Sequence, residues 1–559
     1  VAVSAAGDRT FQTLSPALDL LAASGGNAEL PLNLGEQILP VLAAAQPQLE
    51  TARQELTAAE EARAQIDAAH LSPRVAGLLG RLDRYLPWFE TALDGALLAP
   101  NLLGANGART YLILAQNNYE LRPTGGFISG VGELQIENGR LTSLSFSDSY
   151  AVDNFEVPHD IPPLDFQRTL FGQLWLFRDA NWDADYPTSA QRALDIYARD
   201  RDVQADGAIA LDLTALQSLV AAIEPLHVEG NTVPVTGDNV LRIIQEQWDE
   251  SYASRETMGW KWGLQRKDFM GQIAGAAMDK LMTGDGVQPV ELAQAVKQAL
   301  DEKHILIYLT DPQAASLLRR RNWDGGLEDP TWSSDGLLVV DSNVGFDKMD
   351  ANVARSIHYH VDLTAPDGPR ARVTLTYENL STKSLEACIQ ESRLGDSYAD
   401  LMERCYWDYV RVYAPGGSQL LEGPAIPLPS GSLLARLGDD PPTPPLSPTL
   451  TVGGWDVWTA FFDLAPDSEI TLNFDYQLPS WVLDYEPGGL TRYHLWVQKQ
   501  PGTKAVPFEL TVVLPPGARL VHSEPADLPS PQGATLTVST DLRTDRGFEI
   551  VFQEGKEEP

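Results

Sequence analysis

Basic residues are scarce in this chain of 559 residues, where 41 Lys and Arg stand against 77 Asp and Glu for a formal net charge of −36. An acidic protein of this kind repels nucleic acid and anionic lipid headgroups, so neither is an expected partner. Most of the surplus carboxylates are expected on a solvated surface. No run of 18 or more apolar residues occurs, so nothing in the sequence spans a bilayer as a helix. The eight histidines show no metal spacing. His358 and His360 alternate on one strand face, and such a pair alone is a weak zinc signal. A Walker lysine loop, a dinucleotide fingerprint and a Gly-x-Ser-x-Gly elbow are all missing, and Ser129 and Ser147 have no histidine nearby. Kinase, dehydrogenase and hydrolase readings therefore lose their usual support. Cysteine is limited to Cys388 and Cys405, with sixteen residues between them. An oxidised pair would close a surface loop and contribute roughly 3 kcal/mol; two free thiols are the alternative. The disulfide is the expectation, and it implies an oxidising compartment outside the cytoplasm.

What is present is ordered globular material, with 43% hydrophobic residues including 13 Trp, 17 Tyr and 16 Phe. The length is too great for one core, so roughly two to four domains are expected. The chain opens on Val1 rather than Met, which leaves room for a signal peptide or membrane anchor upstream. Residues 10–100 read as helices. Leu49, Ala52, Leu56, Ala59 and Ile66 recur at helical spacing, and Val75, Leu78, Leu79, Leu82, Tyr85, Leu86, Phe89 and Leu93 form a second stripe. Ser72-Pro73 separates the two as cap and first-turn proline. An antiparallel hairpin over 1–105, a stalk or a packing element of the next domain, follows.

From 106 to 334 strands and helices alternate, which implies a sheet covered by helices. Tyr111–Ala115 is a strand, and Phe127–Ile136 pairs with Leu141–Phe146 across an Asn138-Gly139 turn. Helices are expected at Ala190–Arg199, Thr214–Ala222, Asn239–Trp248 and Gln265–Met282, with strands at Gly207–Asp212 and Leu226–Glu229. After Gly336 the texture becomes β: many short strands with frequent turn signals predict one or two β-sandwiches over 335–559. Thr449–Ala465 reads as one strand, and Ile426–Pro448 as a long Pro-, Gly- and Ser-rich loop.

Two segments carry candidate chemistry. Gln116-Asn117-Asn118-Tyr119-Glu120-Leu121-Arg122-Pro123-Thr124-Gly125-Gly126-Phe127 places amides, a carboxylate and an arginine after a buried strand. Gly125 and Gly126 let backbone approach a ligand or another strand, and Arg122 is a candidate anion clamp. A bend between two core strands with buried amides is the alternative. Arg178-Asp179-Ala180-Asn181-Trp182-Asp183-Ala184-Asp185-Tyr186-Pro187 sets oxygen side chains at alternate positions. Asp179, Asn181, Asp183 and Asp185 could converge on Mg²⁺ or Ca²⁺; a self-capping loop, with Thr188 or Ser189 opening a helix, is the alternative.

These two segments, with Val340-Asp341-Ser342-Asn343-Val344-Gly345, Lys348 and Gln498-Lys499-Gln500-Pro501-Gly502, resemble domain-of-unknown-function family 4012 of bacterial envelope proteins, which carries no assigned activity. A weaker resemblance runs to the LytR–CpsA–Psr glycopolymer phosphotransferases. Asp206 to Leu213, a helix, and Ile223 to Val228 look like their strand–helix–strand core. Gln265-Arg266-Lys267-Asp268 occupies the place of their Arg-Gln helix start, Arg122 matches the arginine opening their first hairpin, and Asp148 the acid closing it. Pro123-Thr124 and Ser147 depart from that pattern and thin out the charges that a pyrophosphate and its metal need. The resemblance implies a multidomain α+β protein with an N-terminal helical hairpin, a central α/β LytR–CpsA–Psr-like domain and C-terminal β-sandwich material. It also implies an extracytoplasmic, membrane-anchored cell-envelope protein that handles surface glycopolymer or its lipid-pyrophosphate-linked precursor. Arg122, Arg178 and Arg266 would supply positive charge, and any catalysis would be metal-dependent phosphotransfer. The alternative is a non-catalytic surface protein or a subunit of an extracellular assembly, with other envelope proteins as partners.

Overall fold

The structure is a computed structural model that describes residues 34–66, 71–229, 231–253, 268–283, 286–330, 334–392, 396–438, 450–526 and 533–553, together with some positions within 7–16 and 528–531. It is a mixed α+β chain with three sheets. Two long helices come first, α1 (Leu34–Ala64) and α2 (Pro73–Leu102). Leu49, Ala52 and Leu56 close on Leu86, Phe89 and Leu93. Arg53 reaches both Glu90 and Asp94 at 2.9 Å, while Arg63, further along α1, reaches back to Asp83 at 2.8 Å. The second apolar stripe packs only in its later part: Val75, Leu78 and Tyr85 are 43%, 58% and 66% exposed. Ser72 sits at the cap position without a side-chain bond, so Pro73 alone opens α2.

The first sheet contains β1 (Arg109–Asn117), β2 (Phe127–Glu137), β3 (Arg140–Asp148), β4 (Gly207–Leu211) and β5 (Ile305–Leu309), in the order β3-β2-β1-β4-β5. Only β1 and β4 pair in parallel. Asn138 and Gly139 both take positive φ at the β2–β3 turn, as a two-residue hairpin twisting with its strands requires. The helices are α3 (Leu164–Leu170), α4 (Tyr186–Arg201), α5 (Leu213–Ile223), α6 (Val240–Ala253), α7 (Asp268–Thr283), α8 (Pro289–Asp301) and α9 (Pro312–Arg320). Ala208 and Ala210 pack on α4, whereas the alternate residues Ile209 and Leu211 meet α5 and α8, so helices cover both faces of the sheet. The expected strand at Leu226–Glu229 is only a single bridge, Leu226 to Val235. The segment Gln265-Arg266-Lys267 lies outside the described residues.

The remaining strands are β6 (Asp335–Val340), β7 (Val353–Asp362), β8 (Arg370–Asn379), β9 (Tyr406–Pro415), β10 (Gln419–Glu422), β11 (Leu450–Val452), β12 (Trp455–Leu464), β13 (Ser468–Gln477), β14 (Leu483–Glu486), β15 (Leu490–Gln498), β16 (Pro507–Val513), β17 (Arg519–Glu524), β18 (Thr535–Asp541) and β19 (Arg546–Gln553). One sheet runs β10-β13-β8-β7-β16-β18; the other runs β11-β12-β9-β6-β15-β19-β17, with β14 on β15. Side chains from both meet in one cluster that includes Tyr359, Val373 and Phe474 from the first and Val410, Trp458 and Leu495 from the second. The β region thus has a single core. The stretch read as one strand from Thr449 divides at Gly453-Gly454, where both φ angles are positive and the chain reverses from β11 into β12. Two short helices, α10 (Tyr398–Leu401) and α11 (Leu433–Leu437), interrupt the loops, the latter inside the stretch read as an unbroken linker.

β9 joins this region to the first. Every one of its residues is buried. Val410 and Val412 point into the core between the sheets, while Trp407 and Tyr409 pack on Phe166 and Trp182. Arg411 adds a 3.0 Å bond to the Trp182 carbonyl.

Candidate functional site

The end of β1 shows how the sequence builds the site. The β1–β2 register shifts at Ala115/Gln116, and the Gln116 side chain turns inward to accept from Gly126 N–H at 3.1 Å. A Cβ on Gly126 would lie 2.3 Å from the Asn117 carbonyl carbon, and one on Gly125 would lie 2.0 Å from Gln116 Oε1. The paired glycines therefore serve close packing within the bend, and the ligand-cradle expectation for Gly125 and Gly126 is replaced by this role. Asn117 donates to the Tyr398 hydroxyl (2.9 Å), and Asn118 to the Gly502 carbonyl (2.9 Å).

Three segments distant in sequence meet here. Asn343 N–H donates to the Leu121 carbonyl (3.0 Å), and Leu121 N–H donates to Asp350 (2.9 Å). Gln500 donates to the carbonyls of Arg122 (3.2 Å) and Asp341 (2.7 Å) and accepts from Asp341 N–H (2.9 Å). The Arg122 guanidinium is buried. Its Nη1 donates to the Leu121 and Asn343 carbonyls, its Nη2 to Glu120 (3.0 Å), and its Nε has no hydrogen-bond partner. Glu120 also holds Lys348 through its other oxygen. Arg122 and Lys348 both flank the Phe127 ring at 5.6 Å.

Glu120, Arg122, Phe127 and Lys348 line a cavity of about 520 Å³ together with Arg178 and Asp179. Arg178 stacks on Tyr150 at 4.4 Å and pairs with Asp153 at 3.3 Å. Burial raises the Asp179 carboxyl above its ordinary range, against the pull of Arg178 and Arg122. The wall also carries apolar side chains, among them Phe166, Leu170, Leu174, Leu176, Phe346 and Leu401, and uncharged polar ones, Asn117, Ser129, Gln173 and Ser392. Arg122 and Arg178 are thus brought together, whereas Arg266 lies outside the described residues. Glu120 and Lys348 join the site although in the sequence they carry no motif of their own. Their signal was a charge set among residues that bury. Asp148 does not face the cavity set; it caps the turn carrying Tyr150, accepting from Tyr150 N–H at 3.0 Å.

The alternating oxygens of the 178–187 loop do not form one cage. Asp185 caps α4, accepting from Thr188 N–H (3.0 Å), and binds Leu327 N–H (2.9 Å). Asp183 pairs with Arg192 at 3.3 Å, and Asn181 donates to the Gly126 carbonyl at 2.8 Å. Only Asp179 reaches the cavity. The self-capping alternative describes this loop, because each oxygen already serves a different neighbour. Among the described residues the one cluster with metal-ligand spacing is Asp153, His159 and Asp200. Arg199 occupies it, bonding His159 Nδ1 at 2.8 Å and Asp200 at 2.6 Å and 3.0 Å. Cys388 and Cys405 form a disulfide, packed beside Val344 and Trp407 rather than on a surface loop.

Residues 106–248 match the model of a family described as "Protein of unknown function (DUF4012)". No curated protein matches. Solved structures with partial likeness include the transcriptional regulator yvhJ from Bacillus subtilis, 10% identical, over 38% of this chain and 75% of that one, with a TM-score of 0.22. The Lin1025 protein from Listeria innocua is 11% identical over 41% of this chain and 85% of its own, with a TM-score of 0.21.

Proposed function

We propose that the cavity binds an amphipathic anion, a phosphate- or pyrophosphate-headed lipid carrying surface glycopolymer, and that the protein handles this precursor outside a bacterial cell. The observation behind the reading is one cavity lined both by the cations Arg122, Lys348 and Arg178 and by the apolar side chains Phe166, Leu170 and Leu174. Arg122 is buried with its Nε unpartnered and its Nη2 on Glu120, so a phosphate in the cavity would meet this guanidinium as a fixed charge in a poorly solvated wall. The volume of about 520 Å³ falls in the ~300–1,000 Å³ range of small-molecule sites. Glu120 and Asp179 are the lining carboxylates that a pyrophosphate-bound Mg²⁺ or Ca²⁺ would meet. The reading includes an α/β body of the LytR–CpsA–Psr kind on a helical stalk, with an anchor upstream. The disulfide suits the oxidising side of a membrane.

Titration calorimetry with farnesyl pyrophosphate, with and without Mg²⁺, tests it. Saturable binding is expected, with inorganic pyrophosphate and farnesol each much weaker because each satisfies half the site. Arg178→Gln is expected to weaken binding by about tenfold or more, the value of one charge-assisted contact. Leu174→Trp, at a side chain 40% exposed, is expected to obstruct the cavity without touching an ion pair. No affinity in either condition, or equal affinity for farnesol, ends the proposal.

A further inference from the structure

β13 pairs with β8 over its whole length without a register shift. On its other side β10 meets it only at Asp475–Gln477. Residues 468–474 therefore have no strand neighbour on that side among the described residues. Folded proteins usually blunt such an edge with proline, lysine or a bulge, and Ser468 to Phe474 contains none of them. Past β10 the chain continues as Gly423-Pro424-Ala425-Ile426-Pro427. This segment faces β13 across a groove of about 520 Å³ whose opposite wall is Ile470–Asn473. No backbone hydrogen bond joins the two walls. Ile426 and Ile470 both rest on the shared core, which anchors the segment where it stands. The groove thus has a free strand edge on one side and a loop with two prolines on the other. Segment 423–427 flanks that edge, so a single extended chain is the partner proposed for the groove.

Charge indicates what kind of chain. Glu378 lies directly opposite Glu469 in the β8–β13 ladder, a like-charge pair with both side chains exposed. Glu422, on the groove wall, is exposed as well. None of the three has an ion-pair partner among the described residues. The cation on the groove walls, Arg372, is already held by Asp475 at 2.6 Å. We propose that the free edge of β13 takes an extended peptide bearing lysine or arginine by strand addition. Its main chain would complete the ladder, its cations would lie against Glu469, Glu378 and Glu422, and an apolar side chain would enter beside Ile426 and Ile470. This site is separate from the cavity and does not depend on its ligand.

Amide hydrogen exchange of the full chain, titrated with a synthetic peptide of alternating lysine and valine, tests the proposal. The alternate amides of 468–474 that point away from β8 should exchange readily in the protein alone and become protected as the peptide is added, whereas those bonded to β8 are protected throughout. A glutamate–valine peptide of the same length should protect them at least about tenfold less well, because it sets like charges together. Glu469→Lys with Glu422→Lys changes two exposed carboxylates that the fold leaves unpaired. That variant should lose about two- to fivefold affinity for the lysine peptide per charge and gain affinity for the glutamate peptide. Equal protection by both peptides, or none by either, overturns the proposal. Protection of those outward-pointing amides already present without peptide also overturns it, since the edge is then filled by this chain or by a second copy.

Discussion

Asp347 is fully buried, with one carboxylate oxygen accepting from Asn343 (2.9 Å) and Met349 N–H (3.1 Å) and the other without a partner. Burial pushes its pKa from 3.8 up to about 7, the two hydrogen bonds opposing and the negative charges of Glu120 and Asp350 adding to the rise. The folded protein therefore keeps a proton that the unfolded chain has released. The contribution of this group is fully present below about pH 4 and is lost as pH rises towards 7. Asp347→Asn keeps the acceptor, removes the charge and turns an amide towards those neighbouring carboxylates. It is expected to stabilise the fold at pH 8 by about 1–3 kcal/mol and to flatten the pH dependence, read from urea midpoints at a series of pH values. A slope below about pH 6 should remain, because burial raises Asp335 to about 6 in the same direction. Such a residue could not be picked from the sequence. Asp347 reads like any acid in a Gly- and Asp-containing loop, and only the packing of Asn343, Gly345 and Glu120 around it sets its proton affinity.

At the scale of elements, turn chemistry was legible and loop geometry was not. Asn138-Gly139 fixed the first hairpin because a two-residue turn needs positive φ, and the alternating burial of β8 followed its period-two pattern. The acids at 179, 183 and 185 also alternate, but a loop has no fixed period. Asp185 went to a helix cap and Asp183 to Arg192, since nearby unpaired N–H groups and cations compete for carboxylates. The Cys388–Cys405 segment illustrates the same limit. The disulfide pairing was readable from two cysteines in a β-rich chain, but not that the enclosed segment carries Ser392 and Leu401 to the cavity wall. Replacing both cysteines by serine is expected to cost about 3 kcal/mol in urea unfolding, from loop entropy returned to the unfolded chain. Retention of farnesyl pyrophosphate should fall with it, because that wall loses its tether.

At the scale of the whole molecule, Gln498-Lys499-Gln500-Pro501-Gly502 works as a clasp. Gln500 ties the β1 bend to the end of β6, Lys499 N–H donates to Asp545 at 2.7 Å, and the Gly502 carbonyl accepts from Asn118. Gly502 takes φ +80°, and a Cβ there would lie 2.1 Å from the Gly125 carbonyl oxygen, so the two glycine turns lock face to face. Gln500→Ala would leave the carbonyl and the N–H of Asp341 short of a buried partner, while the Arg122 carbonyl would keep the Gly125 N–H at 3.1 Å. A loss of roughly 1–3 kcal/mol per unsatisfied group is expected. In calorimetry, a single unfolding transition should separate into two as the first sheet and the β region uncouple.

The sequence by itself determined the succession of textures from helical to mixed to β, the strong hairpin turn and the disulfide pair, because each depends on local backbone preference, periodicity or composition. It did not mark β5, α3, α8 or α9. The tertiary structure decided which charges share a cavity and which strand edge stays open. Periodicity tells which side chains of one element point the same way; it does not tell which other element will face them. Glu120, Arg178 and Lys348 came to line one cavity only when the β1 bend docked on the loops around Phe177 and Asn343. Among the described residues β10 pairs with β13 only at Asp475–Gln477, which leaves the rest of that edge without a strand neighbour.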